Sequence, residues 1–234
     1  KSGSSENLSV IHTKKWRISV FRDGPLFTAV WGGAPFDTVS SSLRGMKGSM
    51  IDMYRRPEKL LQLCDKILNK RIAEAAPADP KKRGNPKRVN VPLWRGDKSF
   101  MSQKQFDTFY WPGLKKALQA HIDLGFVPIP VFEAEFGERL ERLLELPKGK
   151  IIASVEYVDA VKAKEILQGH TCVIFRIPGS SKFWPVQQVE DCVKDLIRKV
   201  RKGGGVMIDV KIPDNGTPEQ LQRLMDSIRE YARY

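Results

Sequence analysis

Within residues 150–234 a short β-branched run and an amphipathic segment of helical period alternate three times without a break. The runs, 151–155, 172–175 and 206–208, give way at once to polar or charged residues: Glu156-Tyr157, Arg176 and Asp209-Val210-Lys211. Strands this short, apolar at consecutive positions, are buried on both faces, the condition of parallel strands covered by helices. Parallel strands end on one common rim. The residues just past each run are therefore the first candidates for function.

The same alternation extends back towards the N-terminus. An apolar run at 26–31 is followed by Gly32-Gly33-Ala34-Pro35-Phe36-Asp37, which reads as a tight turn that leaves Asp37 as a rim carboxylate. Pro57 opens a helix whose Leu60, Leu61, Cys64, Ile67, Leu68 and Ile72 form a core-facing stripe. The second run, 89–94, ends in Trp94 and Arg95-Gly96-Asp97. Ser102 and Gln105 then form a capping box for a helix expected to kink at Pro112-Gly113. The third run, 127–132, holds Pro128 and Pro130, which are awkward in a strand. It leads to Glu133-Ala134-Glu135, two carboxylates at strand spacing that make a metal or acid–base pair worth testing. Leu140, Leu143 and Leu144 mark a short helix. Asp159 and Thr217 are helix caps, the latter with Pro218 and Gln220, and Gly203-Gly204-Gly205 is a helix stop before a strand.

Six strand–helix units in unbroken alternation predict an α/β chain, either a doubly wound sheet or a barrel. No GxGxxG follows any strand, and a closed barrel needs eight units. Residues 1–25 read as a lead-in and 26–234 as one domain with about six of those eight units. The missing strands would leave open edges, so a homodimer or a longer parent chain is expected.

A net charge of +13 favours an anionic partner: nucleic acid, a membrane surface, or a polycarboxylate or phosphate ligand. The basic stretch at 76–88 has no aromatic residue for base stacking, which disfavours nucleic acid and leaves a solvated loop as the better reading. No signal sequence, membrane-spanning run or lipidation motif is visible, so a cytoplasmic location away from membranes is expected. The cysteines at 64, 172 and 192 lack metal-ligand spacing and read as thiols in a reducing compartment. His121, mid-helix, reads as structural.

In order and spacing the chain resembles the uroporphyrinogen decarboxylase superfamily. The resemblance rests on Gly33-Ala34-Pro35, the helix opening from Met101-Ser102 to Trp111-Pro112, Val127-Pro128-Ile129 with Phe132, Glu156 before Tyr157, Gly203-Gly204-Gly205, and Pro218-Glu219. It implies a (β/α)8 barrel of TIM type, present here without the family's N-terminal portion. Two chemistries follow from it. The decarboxylase removes carboxylates from a tetrapyrrole without a cofactor, whereas methyltransferase relatives move a methyl group from a corrinoid to a thiol with a zinc held by His-x-Cys and a later Cys.

Both motifs are altered in this chain. The decarboxylase's Asn-Leu-Gly-His-Gly falls on residues 208–212 with no histidine, and its Gln-Gly-Asn on Phe175-Arg176-Ile177. The methyltransferase's His-x-Cys falls on Phe132-Glu133-Ala134 and its last cysteine on Val210. Zinc chemistry cannot do without its ligands, whereas a cofactor-free decarboxylation can exchange one cation for another. The resemblance therefore implies a decarboxylase-like enzyme, distinct from authentic uroporphyrinogen decarboxylase, acting on a carboxylated tetrapyrrole or similar anion with no cofactor. Asp37, Glu156, Asp209 and Lys211 would handle protons or charge, and Arg95 and Arg176, with Trp94 and Tyr157, would bind substrate. The alternatives are a corrinoid-dependent methyltransferase that meets a corrinoid protein and uses a nonstandard zinc at Glu133 and Glu135, or a tetrapyrrole- or corrinoid-binding protein without turnover.

Overall fold

The structure is a computed structural model that describes residues 11–13, 16–18, 33–79, 81, 87–210, 214 and 216–231. The expected first strand at 26–31, Lys211, and most of the basic loop lie outside the described residues. A short antiparallel hairpin pairs β1 (Ile11–Thr13) with β2 (Trp16–Ile18). Five further strands form a wholly parallel sheet in sequence order: β3 (Arg88–Leu93), β4 (Val127–Phe132), β5 (Ile152–Val155), β6 (Cys172–Arg176) and β7 (Val206–Asp209). Sequential order with a helical segment in each connection is the progression of a TIM-type barrel, and the sheet is a partial one.

The described residues divide into two compact units. One contains 33–176 and 205–209, and with them the whole parallel sheet. Its helices are α1 (Pro35–Thr38), α2 (Gly45–Arg55), α3 (Pro57–Glu74), α4 (Gln103–Gln105), α5 (Trp111–Asp123) and α6 (Ala160–Leu167). The other unit holds the hairpin, α7 (Val186–Val200) and α8 (Pro218–Tyr231). Within it, Ser227 donates to Glu190 at 2.6 Å and Lys194 lies over the Tyr231 ring. Among the described residues no helix is long and apolar enough to cross a membrane.

Side-chain alternation along the strands sorts the sheet into two apolar faces. Ile129 and Val131 of β4, Ile152 of β5, Ile174 of β6 and Met207 of β7 pack together on one face. Val89, Val91 and Leu93 of β3, Ala153 and Val155 of β5, and Val173 and Phe175 of β6 are buried on the other. The two prolines of β4 fit because of the same alternation. Val127 and Glu133 donate their N–H groups towards β3, to Lys87 and Leu93, so Pro128 and Pro130 point their ring nitrogens the opposite way. On that side β4 pairs with β5 only at Val131 and Phe132, and no ladder bond is lost.

Several local expectations hold and two need correction. The Ser102–Gln105 capping box, the Asp159 cap and the Thr217–Gln220 pair all form. Residues 33–37 are not a tight turn: Pro35 takes the first helical position of α1, where its missing N–H costs nothing, and Asp37 lies in the first turn. The interruption between Ser102 and Asp123 is not a proline kink. It is a wide, π-helical turn at Phe106–Tyr110, after which Pro112 sits harmlessly in the opening turn of α5. The leucine segment is a 3-10 helix, Gly137–Glu145, and Leu144 is exposed on it.

Candidate functional site

The strand register decides which rim residues share a face. Arg176 and Asp209 are direct partners across β6 and β7, and Ser154 pairs with Ile174, so Glu156, two residues past Ser154, continues the same face. The structure brings these three together at the strand ends. Arg176 lies 3.5 Å from Glu156 and 3.4 Å from Asp209, with side-chain exposures of 19%, 9% and 41% respectively. Tyr157, half exposed, donates to Glu156, and the negative charge it meets holds its phenol above the ordinary range. One guanidinium thus lies between two carboxylates.

A second cluster forms where α1 meets the end of β3. Asp37 is 1% exposed. Its Oδ2 accepts from the Tyr110 hydroxyl at 2.6 Å and its Oδ1 from the Arg95 N–H at 3.0 Å. Burial dominates its titration and pushes the carboxyl from 3.8 to about 7, against the lowering effect of Tyr110 and of the Arg95 and Trp94 backbones. The Tyr110 phenol is driven well above its usual value, by burial first and then by Asp37. A carboxyl held by neutral donors in an apolar shell can keep or release a proton near neutrality.

The shell of this cluster comes from the aromatic residues of the wide turn. Tyr110 lies against Phe36, Phe106 and Phe136 at ring separations of 6.0, 5.5 and 6.5 Å. Gly96 makes room for it, because a Cβ there would fall 2.4 Å from the Tyr110 ring. Buried Arg139 fastens the loop, donating to the carbonyls of Gly96 at 2.8 Å and Met101 at 2.7 Å and covering the Phe106 ring. Trp94 donates to Ser41 at 3.0 Å. The Arg95 guanidinium lies over Phe100, and its buried Nε has no hydrogen-bond partner.

The ten residues singled out from the sequence thus fall into separate groups. Asp37, Trp94 and Arg95 gather at the end of β3, and Glu156, Tyr157, Arg176 and Asp209 at the ends of β5 to β7. Glu133 and Glu135 follow β4, both exposed, with their backbones tied to Leu93 and Lys98. Lys211 lies outside the described residues. Sequence reasoning missed Tyr110 and Arg139. The readable signal was a phenol inside an apolar helical stripe, four residues after Phe106, since a buried Tyr needs a partner for its hydroxyl.

The donor set does not fit the zinc implied by the resemblance. Phe132 is buried in the core, Ala134 and Val210 offer no side-chain donor, and among the described residues no three His, Cys, Asp or Glu side chains come together to hold a metal.

No protein-family model matches the sequence, and no curated protein matches it. Among solved structures the chain is similar to a methyltransferase from Methanosarcina mazei, with a TM-score of 0.56 and 19% sequence identity over 86% of this chain. The chain spans 58% of that methyltransferase's length. At that identity the likeness is one of fold, and it agrees with the parallel five-stranded sheet in identifying a partial TIM-barrel-like architecture.

Proposed function

We propose that this chain is a methyl-transfer barrel of the uroporphyrinogen decarboxylase superfamily, taking a methyl group from a corrinoid donor to a small anionic acceptor at the strand-end rim. The observation that carries the reading is the neutralisation of Arg176. A decarboxylase of polycarboxylates needs uncommitted cations for the acid arms, and Arg176 is shared between Glu156 and Asp209. Arg95 is the better anchor for one anionic group, since its Nε lacks a hydrogen-bond partner. The fold likeness to a methyltransferase supports the same branch.

In this reading the corrinoid, brought by its own carrier protein, supplies an activated methyl–cobalt bond. An acceptor long enough to reach from Arg95 at the end of β3, which would hold its anionic group, to the ends of β5 to β7 would give its thiol proton to Asp209, the more exposed carboxylate there. The sulfur lone pair takes the methyl group while the electron pair of the broken bond stays with the donor. Tyr157 would flank the thiol end and Trp94 the anionic end, and Asp37 with Tyr110 keeps the Arg95 backbone in place. Glu133 and Glu135 are left outside the chemistry.

The test is to mix the full chain with methylcobalamin and a small anionic thiol and follow the loss of the methyl–cobalt absorbance. Thiol methylation that survives a chelator and loses its saturation in Arg95→Met is expected. Release of carbon dioxide from a carboxylated tetrapyrrole, with no methyl transfer, would overturn the proposal in favour of decarboxylation. Tight binding of either ligand without turnover would also overturn it.

A further inference from the structure

Away from the rim, a cavity of about 170 Å³ lies between α3 and α5. Its walls are Leu68 of α3 and Ala117, Ala120 and Leu124 of α5, and two polar side chains, Arg71 and His121, reach into it. Ala117 and Ala120 lie three apart on one helix face and create the space, because any larger side chain there would close it. An apolar cavity of about 150 Å³ is enough to hold benzene. The volume therefore suits one six-membered ring or a chain of similar bulk.

Of the two polar groups, Arg71 is the one set for an anion. Arg71 is half buried and donates to the Gly33 carbonyl at 3.0 Å and to Thr38 Oγ1 at 2.6 Å. Among the described residues it has no carboxylate within ion-pair distance. Asp37 is the only acid acting on it electrostatically, and with a carboxyl that titrates at about 7, Asp37 carries only part of a charge at neutral pH. A guanidinium has five donors, so three of its N–H groups remain beyond those two bonds.

His121 completes the polar end. Its Nδ1 lies 2.7 Å from the Ala117 carbonyl, and since a carbonyl only accepts, Nδ1 carries the proton and Nε2 is left over. Burial and the nearby Arg71 charge both hold its pKa below the ordinary value. The remaining charged group at the wall, Glu74, is drawn outward towards Lys70 at 3.9 Å, where both are largely exposed. The interior is therefore electropositive, with largely apolar walls.

We infer that the cavity between α3 and α5 is a binding site for a small monocarboxylate with a compact apolar body, its carboxylate on Arg71 and its ring or chain between Leu68, Ala117 and Ala120, beside the His121 ring. The site is separate from the methyl-transfer reading and does not depend on it. Benzoate is the probe and benzamide its uncharged counterpart, titrated against the intact chain by calorimetry and by the ring signals of His121, one of three histidines.

Benzoate should bind with one-to-one stoichiometry and shift the His121 signals. Benzamide and the variant Arg71→Met should each bind at least about tenfold more weakly, the usual worth of a charge-assisted hydrogen bond. Arg71 also fastens the start of α1, so Ala120→Leu provides the independent check. Leucine is a good helix former that fills the cavity, so this variant should keep the melting temperature and lose benzoate. Equal affinity for benzamide, undiminished binding in Ala120→Leu, or no shift of His121 at millimolar benzoate would each overturn the inference.

Discussion

Asp37 and the pair Glu156 and Asp209 are carboxylates near the ends of strands of one sheet, yet their surroundings differ. Asp37 is enclosed by aromatic rings and held by a phenol and a backbone N–H, all neutral, and its carboxyl rises to about 7. Glu156, largely buried, and Asp209, partly exposed, share a guanidinium. What separates them is burial and the group each carboxylate touches: a phenol and a backbone N–H for Asp37, a guanidinium for Glu156 and Asp209. Neutral donors stabilise a buried anion incompletely, so the proton remains competitive at Asp37.

The largest expected effect comes from Asp37→Asn. Folding raises the Asp37 pKa from 3.8 to about 7. Below about pH 4 the acid is protonated in both the folded and unfolded chains and costs nothing. Between about 4 and 7 the unfolded chain releases its proton first, so stability falls as pH rises. Above 7 the full cost is present, about 4 kcal/mol for a shift of about 3 pKa units. Asparagine has no proton to lose, so relative to the parent chain Asp37→Asn gains stability from pH 4.5 to pH 8 by up to that amount. Urea unfolding at the two pH values measures it, and parallel pH dependences in the two proteins would refute the neutral-shell account.

Tyr110→Phe breaks the same centre from the other side. The ionised Asp37 then loses its hydroxyl donor, at a cost of about 1–3 kcal/mol. The loss is larger at pH 8 than at pH 5, because a protonated carboxyl asks less of its neighbours. Since the Tyr110 hydrogen bond lowers the Asp37 pKa, its removal also moves the midpoint of the stability fall to higher pH. A pH-independent penalty would mean that the phenol acts through packing alone.

These two centres were not equally legible in the sequence. The rim triad follows from period-two alternation and parallel register: once 151–155, 172–175 and 206–208 are strands, Glu156, Arg176 and Asp209 must end together on one face. The buried centre depends on helix irregularities that propensity does not encode. The one-residue widening at Phe106–Tyr110 re-aims Tyr110 towards Asp37, and Pro35 starts a helix where glycines on its N-terminal side suggested a turn. Pro128 and Pro130 were readable only after the hydrogen-bonding side of β4 was known. The missing histidine and cysteines were plain in the sequence. That among the described residues no other donors gather to replace them is a matter of three-dimensional placement.

Arg176→Met separates the two kinds of carboxylate by their response to salt. It leaves Glu156, only 9% exposed, facing Asp209 without the intervening cation, at a cost of about 1–2 kcal/mol. Like-charge repulsion at a surface is screened by salt, so 1 M salt should recover part of that loss. The Asp37 penalty arises from burial and should not respond.

Asp209→Asn gives the smallest effect and the sharpest control. Its side chain is 41% exposed and its distance to Arg176 is 3.4 Å, so solvent screens the pair and its worth to stability is below about 0.5 kcal/mol. Asparagine keeps the shape, and Glu156 still holds Arg176. Stability should therefore be nearly unchanged while methyl transfer to a thiol slows, the loss being greatest at pH values where the thiol still needs its proton removed. A thiol supplied already ionised, at pH 9 or above, should recover most of the rate. If Asp209→Asn instead costs as much stability as Arg176→Met, the rim is a structural ion-pair network like many others. Its carboxylates would then have no proton to move.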